Sequence, residues 1–214
     1  MNSDLQLKTK QYSRKWKNFY KDNEYHFVTG SVGGYLPLFE HKEFTQLFTD
    51  VIKEVLKSYE VLMTAWVIMP EHYHFLIWNE SGIRIQKFMQ TVLSRSSSKL
   101  LSLIKSKNSD EIYQWKYARK SLPRKVNRNY LLTVFRKRAN GPVSYSLWKE
   151  QCRVIPMWGN KKIKTHIDYI HANPVRRGIV DKPSDYHLSS YCYWYKNGKN
   201  IIPIDVVDGL NINS

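Results

Sequence analysis

Acidic residues are scarce in this chain of 214 residues: 18 Asp and Glu stand against 34 Lys and Arg, a formal net charge of +16. Cysteine is scarcer still. Cys152 and Cys192 are 40 residues apart with no neighbour to form a CxxC pair, which argues against a zinc knuckle and a disulfide framework and fits buried thiols in a reducing compartment. Nine Gly and eight Pro leave little room for long flexible linkers, and there is no internal repeat or low-complexity tract. The longest apolar run, Val61 to Met69, is far short of the roughly 20 residues of a membrane helix, and the amino terminus has no apolar signal core. A soluble, cytoplasmic protein with no membrane partner is expected.

What the chain does have is 42% apolar residues, enough for a substantial core, and a surplus of positive charge suited to a polyanion, nucleic acid before membrane. Residues 1–22 read as a basic arm, 23–198 as one folded domain and 199–214 as a tail that packs on the domain or on a partner. Glu24 to Val32 alternates like a strand and ends at Gly33-Gly34. Phe44, Phe48, Val51, Ile52 and Val55 repeat at helical spacing over roughly 42–58. Two strands follow, Val61–Met69 and His72–Trp78, joined by Pro70-Glu71 as a hairpin.

A second long helix is expected through Ile85, Phe88, Val92, Leu100 and Ile104, whose apolar spacing lapses only at Ser96 to Ser98. The segment Lys116 to Arg138 holds nine basic residues (Lys116, Arg119, Lys120, Arg124, Lys125, Arg128, Arg136, Lys137 and Arg138) and no acidic one, and reads as part of an inserted helical element over about 108–140. A strand is expected over Ser146 to Ile155, then a helix from Lys161 to Ala172 that stops at Asn173-Pro174. The order predicts an α+β fold: an antiparallel sheet with helices packed mainly on one face, ferredoxin-like or RRM-like, carrying a basic insertion.

His72 and His74 lie two apart on a predicted strand, so both imidazoles project from one side of the sheet and supply half a metal site. Taken alone, an HxH is more often two polar residues on a solvent face. On the later helix, Ile163, Ile167 and Ile170 form a core stripe, while Tyr169 and Asn173 are one turn apart on its flank, so a phenol and an amide face one way. His166 is one turn before Tyr169 and falls on the same side; His171 points elsewhere.

The run Val67 to Ile77, VIMPEHYHFLI, resembles the VMPNHxHLLI motif of the HUH single-tyrosine transposases. Asp168 to Val180, DYIHANPVRRGIV, is similar to the DYIHxNPVxxGxV signature of the branch related to REP-associated tyrosine transposases, and Lys182 to Tyr191 is similar to that branch as well. The resemblance extends over roughly Tyr25 to Tyr195. One departure is Glu71, where the family usually has Asn.

The resemblance implies that Tyr169 is the nucleophile and that His72, His74 and Asn173 hold a divalent ion, Mg²⁺ or Mn²⁺, on the scissile phosphate. It also implies that the histidine strand lies beside the tyrosine helix. Three neutral ligands would leave the ion its full charge. A phenol with an ordinary pKa of about 10 needs proton removal or a nearby cation to attack at neutral pH. The implied activity is cleavage and transfer of single-stranded, hairpin-forming DNA through a 5′-phosphotyrosine, with a homodimer as one option. The nine basic residues above, with Arg176 and Arg177, are the expected phosphate contacts, and Tyr117, Tyr130 and Phe135 the expected base-stacking groups. The competing readings are a domesticated hairpin-nucleic-acid binder without transposition and a replication initiator or relaxase.

Overall fold

Alternating apolar residues that cover both sides of a sheet set the architecture. In the computed structural model, which describes residues 18–137, 144–149, 152–196, 198, 200–207 and 210, four strands carry the core. They are β1 (Glu24–Ser31), β2 (Leu62–Ile68), β3 (His72–Asn79) and, far along the chain, β8 (Arg153–Met157). Their order across the sheet is β2-β3-β1-β8, every neighbour antiparallel, which is the ferredoxin-like arrangement. Register divides the sheet cleanly. Phe27, Thr29, His72 and His74 share one face with Arg153 and Ile155, while Val28, Gly30, Tyr73 and Phe75 share the other.

The second face is covered by α1 (Lys42–Tyr59) and α2 (Gly82–Ser106). Phe48 of α1 lies against Tyr73 at 5.6 Å between ring centroids, and Tyr59 and Thr91 share a 2.9 Å hydrogen bond between the two helices. The helix runs unbroken, as expected, through Ser96 to Ser98, where the apolar spacing lapses. Ser96 donates its hydroxyl to the Val92 carbonyl at 2.5 Å, so a buried polar side chain is satisfied within the helix.

Between α2 and β8 the chain forms the short ribbon β4 (Ile112–Gln114) and β5 (Lys125–Asn127), the helix α3 (Arg128–Phe135), and the pair β6 (Arg136–Lys137) and β7 (Ser144–Tyr145). The inserted element is therefore only partly helical, since Leu122-Pro123 disfavours a helix ahead of β5. Helix α3 begins where Asn127 accepts the Tyr130 N–H at 3.0 Å. The strand expected over Ser146 to Ile155 starts only at Arg153. Trp148 makes only an isolated antiparallel bridge to Val32 beyond the end of β1, donates its indole N–H to Leu93 at 3.1 Å and packs against Tyr73.

Helix α4 (Asn160–Arg176) lies on the histidine face. It does not stop before Pro174 as expected. That proline sits in the last turn, where its missing N–H costs one bond, and the helix closes a turn later with Gly178 in the left-handed region (φ 67°). Ile179 donates to the Pro174 carbonyl (2.9 Å) and Gly178 to that of Val175 (2.8 Å), a Schellman reversal. His171, buried on the other side of α4, hydrogen-bonds the Ser190 hydroxyl at 2.8 Å, and Ser190 in turn pairs with Trp66 of β2, so α4 is latched to the sheet edge. Helix α5 (Tyr191–Lys196) follows, and the described part of the tail runs along β2, with Asp205 donating its backbone N–H to Met63 at 2.9 Å. Residues 1–17 of the expected arm lie outside the described residues, and among those described no helix is long and apolar enough to cross a membrane.

Candidate active site

The hairpin β2-β3 and the helix α4, about a hundred residues apart in sequence, meet around Phe27. Its ring stacks on His74 at 5.3 Å and takes the edges of His166 and Tyr169 at 5.2 and 6.0 Å. His72 and His74 are 4.9 Å apart between ring centroids, and His74 and Tyr169 5.4 Å. The Asn173 amide lies beside His74, where it acts on the ring's proton affinity, and donates to the Tyr169 carbonyl at 2.7 Å. The four side chains singled out for the tyrosine and metal roles thus share one cleft. Phe27, an aromatic in an ordinary strand pattern, gave no sequence signal of its place beneath them.

Electrostatics follow from burial. Desolvation, with the nearby His72, pushes the His74 imidazole down to about 3, so the ring is neutral, and its Nδ1 is buried without a hydrogen-bond partner. Neutral imidazole and amide are the donor types that a hard or borderline divalent cation accepts, and the orphaned nitrogen fits such a group. No cluster of three His, Cys, Asp or Glu side chains is disposed for a metal among the described residues; beside the two imidazoles, the Asn173 amide oxygen is a further neutral donor. Arg176 holds its guanidinium 5.2 Å from the Tyr169 ring centre. His166 donates from Nδ1 to the Lys162 carbonyl at 2.9 Å.

Glu71 is buried in the turn that leads into β3. Its carboxylate lies 3.4 Å from Arg177, 3.6 Å from the His72 Nδ1 and 3.9 Å from Arg119. Burial alone would raise its pKa; His72 and Arg177 outweigh that and hold the carboxyl below the usual range.

The expected phosphate contacts divide. Arg176 and Arg177 flank the cleft, and Arg119 reaches the β2-β3 turn while covering the Tyr35 ring at 3.8 Å. Arg128 is instead committed to the Lys105 and Lys107 carbonyls, and Arg124 to that of Lys116, so both buckle the insertion. Lys116 lies over the Tyr117 ring, and Lys120, Lys125 and Arg136 are exposed. Of Lys137 only the backbone is described, and Arg138 lies outside the described residues. Phe135 is 1% exposed and belongs to the core, which removes it as a stacking group; Tyr117 and Tyr130 are half-buried. A cavity of about 470 Å³ lined by Phe39, Glu40, Tyr117, Tyr186 and Leu188 opens behind the Pro70 turn and contains none of the four cleft residues.

A ferredoxin-like sheet thus presents a histidine pair to a helix-borne tyrosine and asparagine. The chain belongs to the family of IS200-like transposases, whose model matches residues 19–130, just over half of it. That family comprises DNA-cleaving and strand-transferring enzymes, so DNA is the partner and the role is that of a transposase. No curated protein matches the sequence. Among solved structures, a REP-associated tyrosine transposase bound to a REP hairpin aligns over 92% of this chain and 93% of that one, with TM-score 0.58 and 16% identity, and shares the fold. A candidate transposase from Deinococcus radiodurans R1 covers 73% of this chain and 96% of that one at 13% identity and TM-score 0.38, too loose a match to carry an argument.

Proposed function

We propose that the protein cleaves and rejoins single-stranded DNA beside a hairpin, with Tyr169 as nucleophile and His72, His74 and Asn173 as ligands of a divalent cation. The observation that carries this is the 5.4 Å approach of His74 to Tyr169 across two elements distant in sequence. The phenol oxygen bonds to phosphorus as the P–O3′ bond breaks, giving a 5′-phosphotyrosine and a free 3′-hydroxyl that takes up the phenol's proton. The covalent link conserves the phosphodiester, so a second 3′-hydroxyl reverses the step without a nucleotide cofactor. A bound Mg²⁺ or Mn²⁺ would supply charge neutralisation at a nonbridging phosphate oxygen.

The protein's own residues do the rest. Arg176 puts positive charge beside the phenol where negative charge develops, and Phe27 walls the cleft so that the histidines and the tyrosine keep one orientation. Arg177 and Arg119 sit on the turn side for phosphates further along the strand. The REP hairpin held by the structurally similar transposase supports a hairpin next to the cleavage point.

The test is a covalent adduct. Purified protein with Mn²⁺ and a labelled hairpin bearing single-stranded flanks should form a protein–DNA band that survives denaturing electrophoresis. Tyr169→Phe should abolish it, and His74→Ala or Asn173→Ala should reduce it by at least about a hundredfold, in the range of a lost electrostatic catalytic group. An adduct that persists in Tyr169→Phe would overturn the assignment, whereas tight binding without any adduct in the unaltered protein would favour a binder that no longer cleaves.

A further inference from the structure

Trp158, immediately before α4, is 54% exposed although it is among the largest apolar side chains in the protein. Two ammonium groups stand over its ring, Lys162 at 4.5 Å and Lys21 at 5.2 Å. From Cys152 to Ile167 the sequence contains no Asp or Glu but holds Arg153, Lys161, Lys162 and Lys164. An exposed indole with two ammonium groups over its ring has the composition of a surface for a polyanion with flat apolar faces.

The position of Trp158 relative to the cleft narrows this further. Lys162, His166, Tyr169, Asn173 and Arg176 follow one another at spacings of 4, 3, 4 and 3 and so form one stripe along α4. The stripe begins beside Trp158 and passes Tyr169, and from Asn160 to Tyr169 the helix rises about 14 Å. A single strand with one phosphate at Tyr169 and its backbone along the stripe reaches Trp158 within a few nucleotides.

We infer that Trp158 is a base-stacking platform for single-stranded DNA leaving the Tyr169 cleft toward the start of α4, with Lys162 and Lys21 holding the phosphates on either side of the stacked base. The direction of the strand rests on the reading of Tyr169 as the nucleophile; the platform itself does not. An indole accepts any base on its π-face, so the site is indifferent to sequence, and the lysines contribute charge attraction without base readout.

The experiment uses the full chain and fluorescently labelled dT12, with a second dT12 whose central nucleotides are abasic, binding being read by anisotropy. The two probes carry the same phosphates and differ only in bases. The unaltered protein should bind the base-containing probe about tenfold more tightly, the size of one aromatic stack. Trp158→Ala should lose that preference with its affinity for the abasic probe unchanged, and Trp158→Phe should restore most of it. Lys162→Ala should weaken both probes alike. The inference is overturned if Trp158→Ala keeps the preference, or if the unaltered protein has none. Adduct formation by Tyr169 is scored separately, so a protein that prefers bases through Trp158 but forms no adduct retains the platform and loses the transferase reading.

Discussion

His171 illustrates what a single buried histidine contributes. Its imidazole lies among the ring edges of Tyr191 and Tyr195, bonded to the Ser190 hydroxyl, and desolvation lowers its pKa from 6.5 to about 3. Its nearest carboxylate connection is indirect, through Tyr195, which donates to Asp168 at 2.9 Å. The unfolded chain takes up a proton near pH 6.5 that the folded one refuses until about 3, so stability is complete above 6.5 and falls as pH drops through that window. One such group contributes about 1.4 kcal/mol per pH unit within it. In chelator, thermal melts should therefore show Tm declining from pH 6.5 to 5, by about 2 to 4 °C for each kcal/mol in a protein of this size. His26 and His41 are lowered by burial too and act in the same direction. Glu40, raised by burial, opposes them only near its own range. His171→Gln should remove about one proton's share of the slope, and a variant with an unaltered slope would show that His171 is not what couples acid to unfolding.

At the level of elements, the site depends on strand register. Gly30 of β1 pairs with Tyr73, the residue between the two histidines, and a Cβ at Gly30 would stand 2.5 Å from the Tyr73 hydroxyl oxygen. The ring cannot retreat: it is fully buried, stacked on Phe75 at 4.4 Å and held by Phe48 and Trp148. Gly30→Ala should then cost about 1 to 3 kcal/mol, as overpacking does, and displace β3 enough to weaken adduct formation. Because the ring atoms Cζ and Cε1 would also stand 2.7 and 2.8 Å from that Cβ, Tyr73→Phe should recover only a small part of both losses when combined with it. Full stability of Gly30→Ala in urea denaturation would contradict this account of the register. The strands and the two long helices were legible in the sequence because period-2 and period-3.6 patterns report burial directly, and His72 and His74 because alternation fixes their common face. The end of α4 was misread because Pro174 suggests a stop, whereas the stop comes from Gly178 and its Schellman bonds. Phe27 beneath the cleft and the carbonyl-bound Arg128 were not legible at all, since both depend on contacts between segments far apart in the chain.

Over the whole molecule, the net charge of +16 is unevenly neutralised. On the α1-α2 side the acidic residues are engaged: Glu54 with Arg95 and Lys99 (2.6 and 3.2 Å), Glu60 with Arg84 (2.7 Å), Glu43 with Lys107 (2.5 Å) and Asp50 with Lys53 (2.6 Å). Such exposed pairs add little stability, but they cancel field on that side. The approach to α4 contains no Asp or Glu from Cys152 to Ile167, so positive charge is concentrated around Trp158 and Lys162, while Asp168 and Glu71 are the acidic groups nearer the Tyr169 cleft. Binding to a single strand releases counterions in proportion to the phosphates neutralised, with a slope of log K on log salt of roughly −0.7 for each. Combining Lys161→Ala, Lys162→Ala and Arg176→Ala should make the measured slope less negative by about 2, while Arg95→Ala with Lys99→Ala, equal in kind of charge but already paired with Glu54, should leave it nearly unchanged. Equal effects from the two sets, measured by titrating a labelled single strand from 50 to 300 mM NaCl, would mean that DNA responds to the total charge and not to the α4 face.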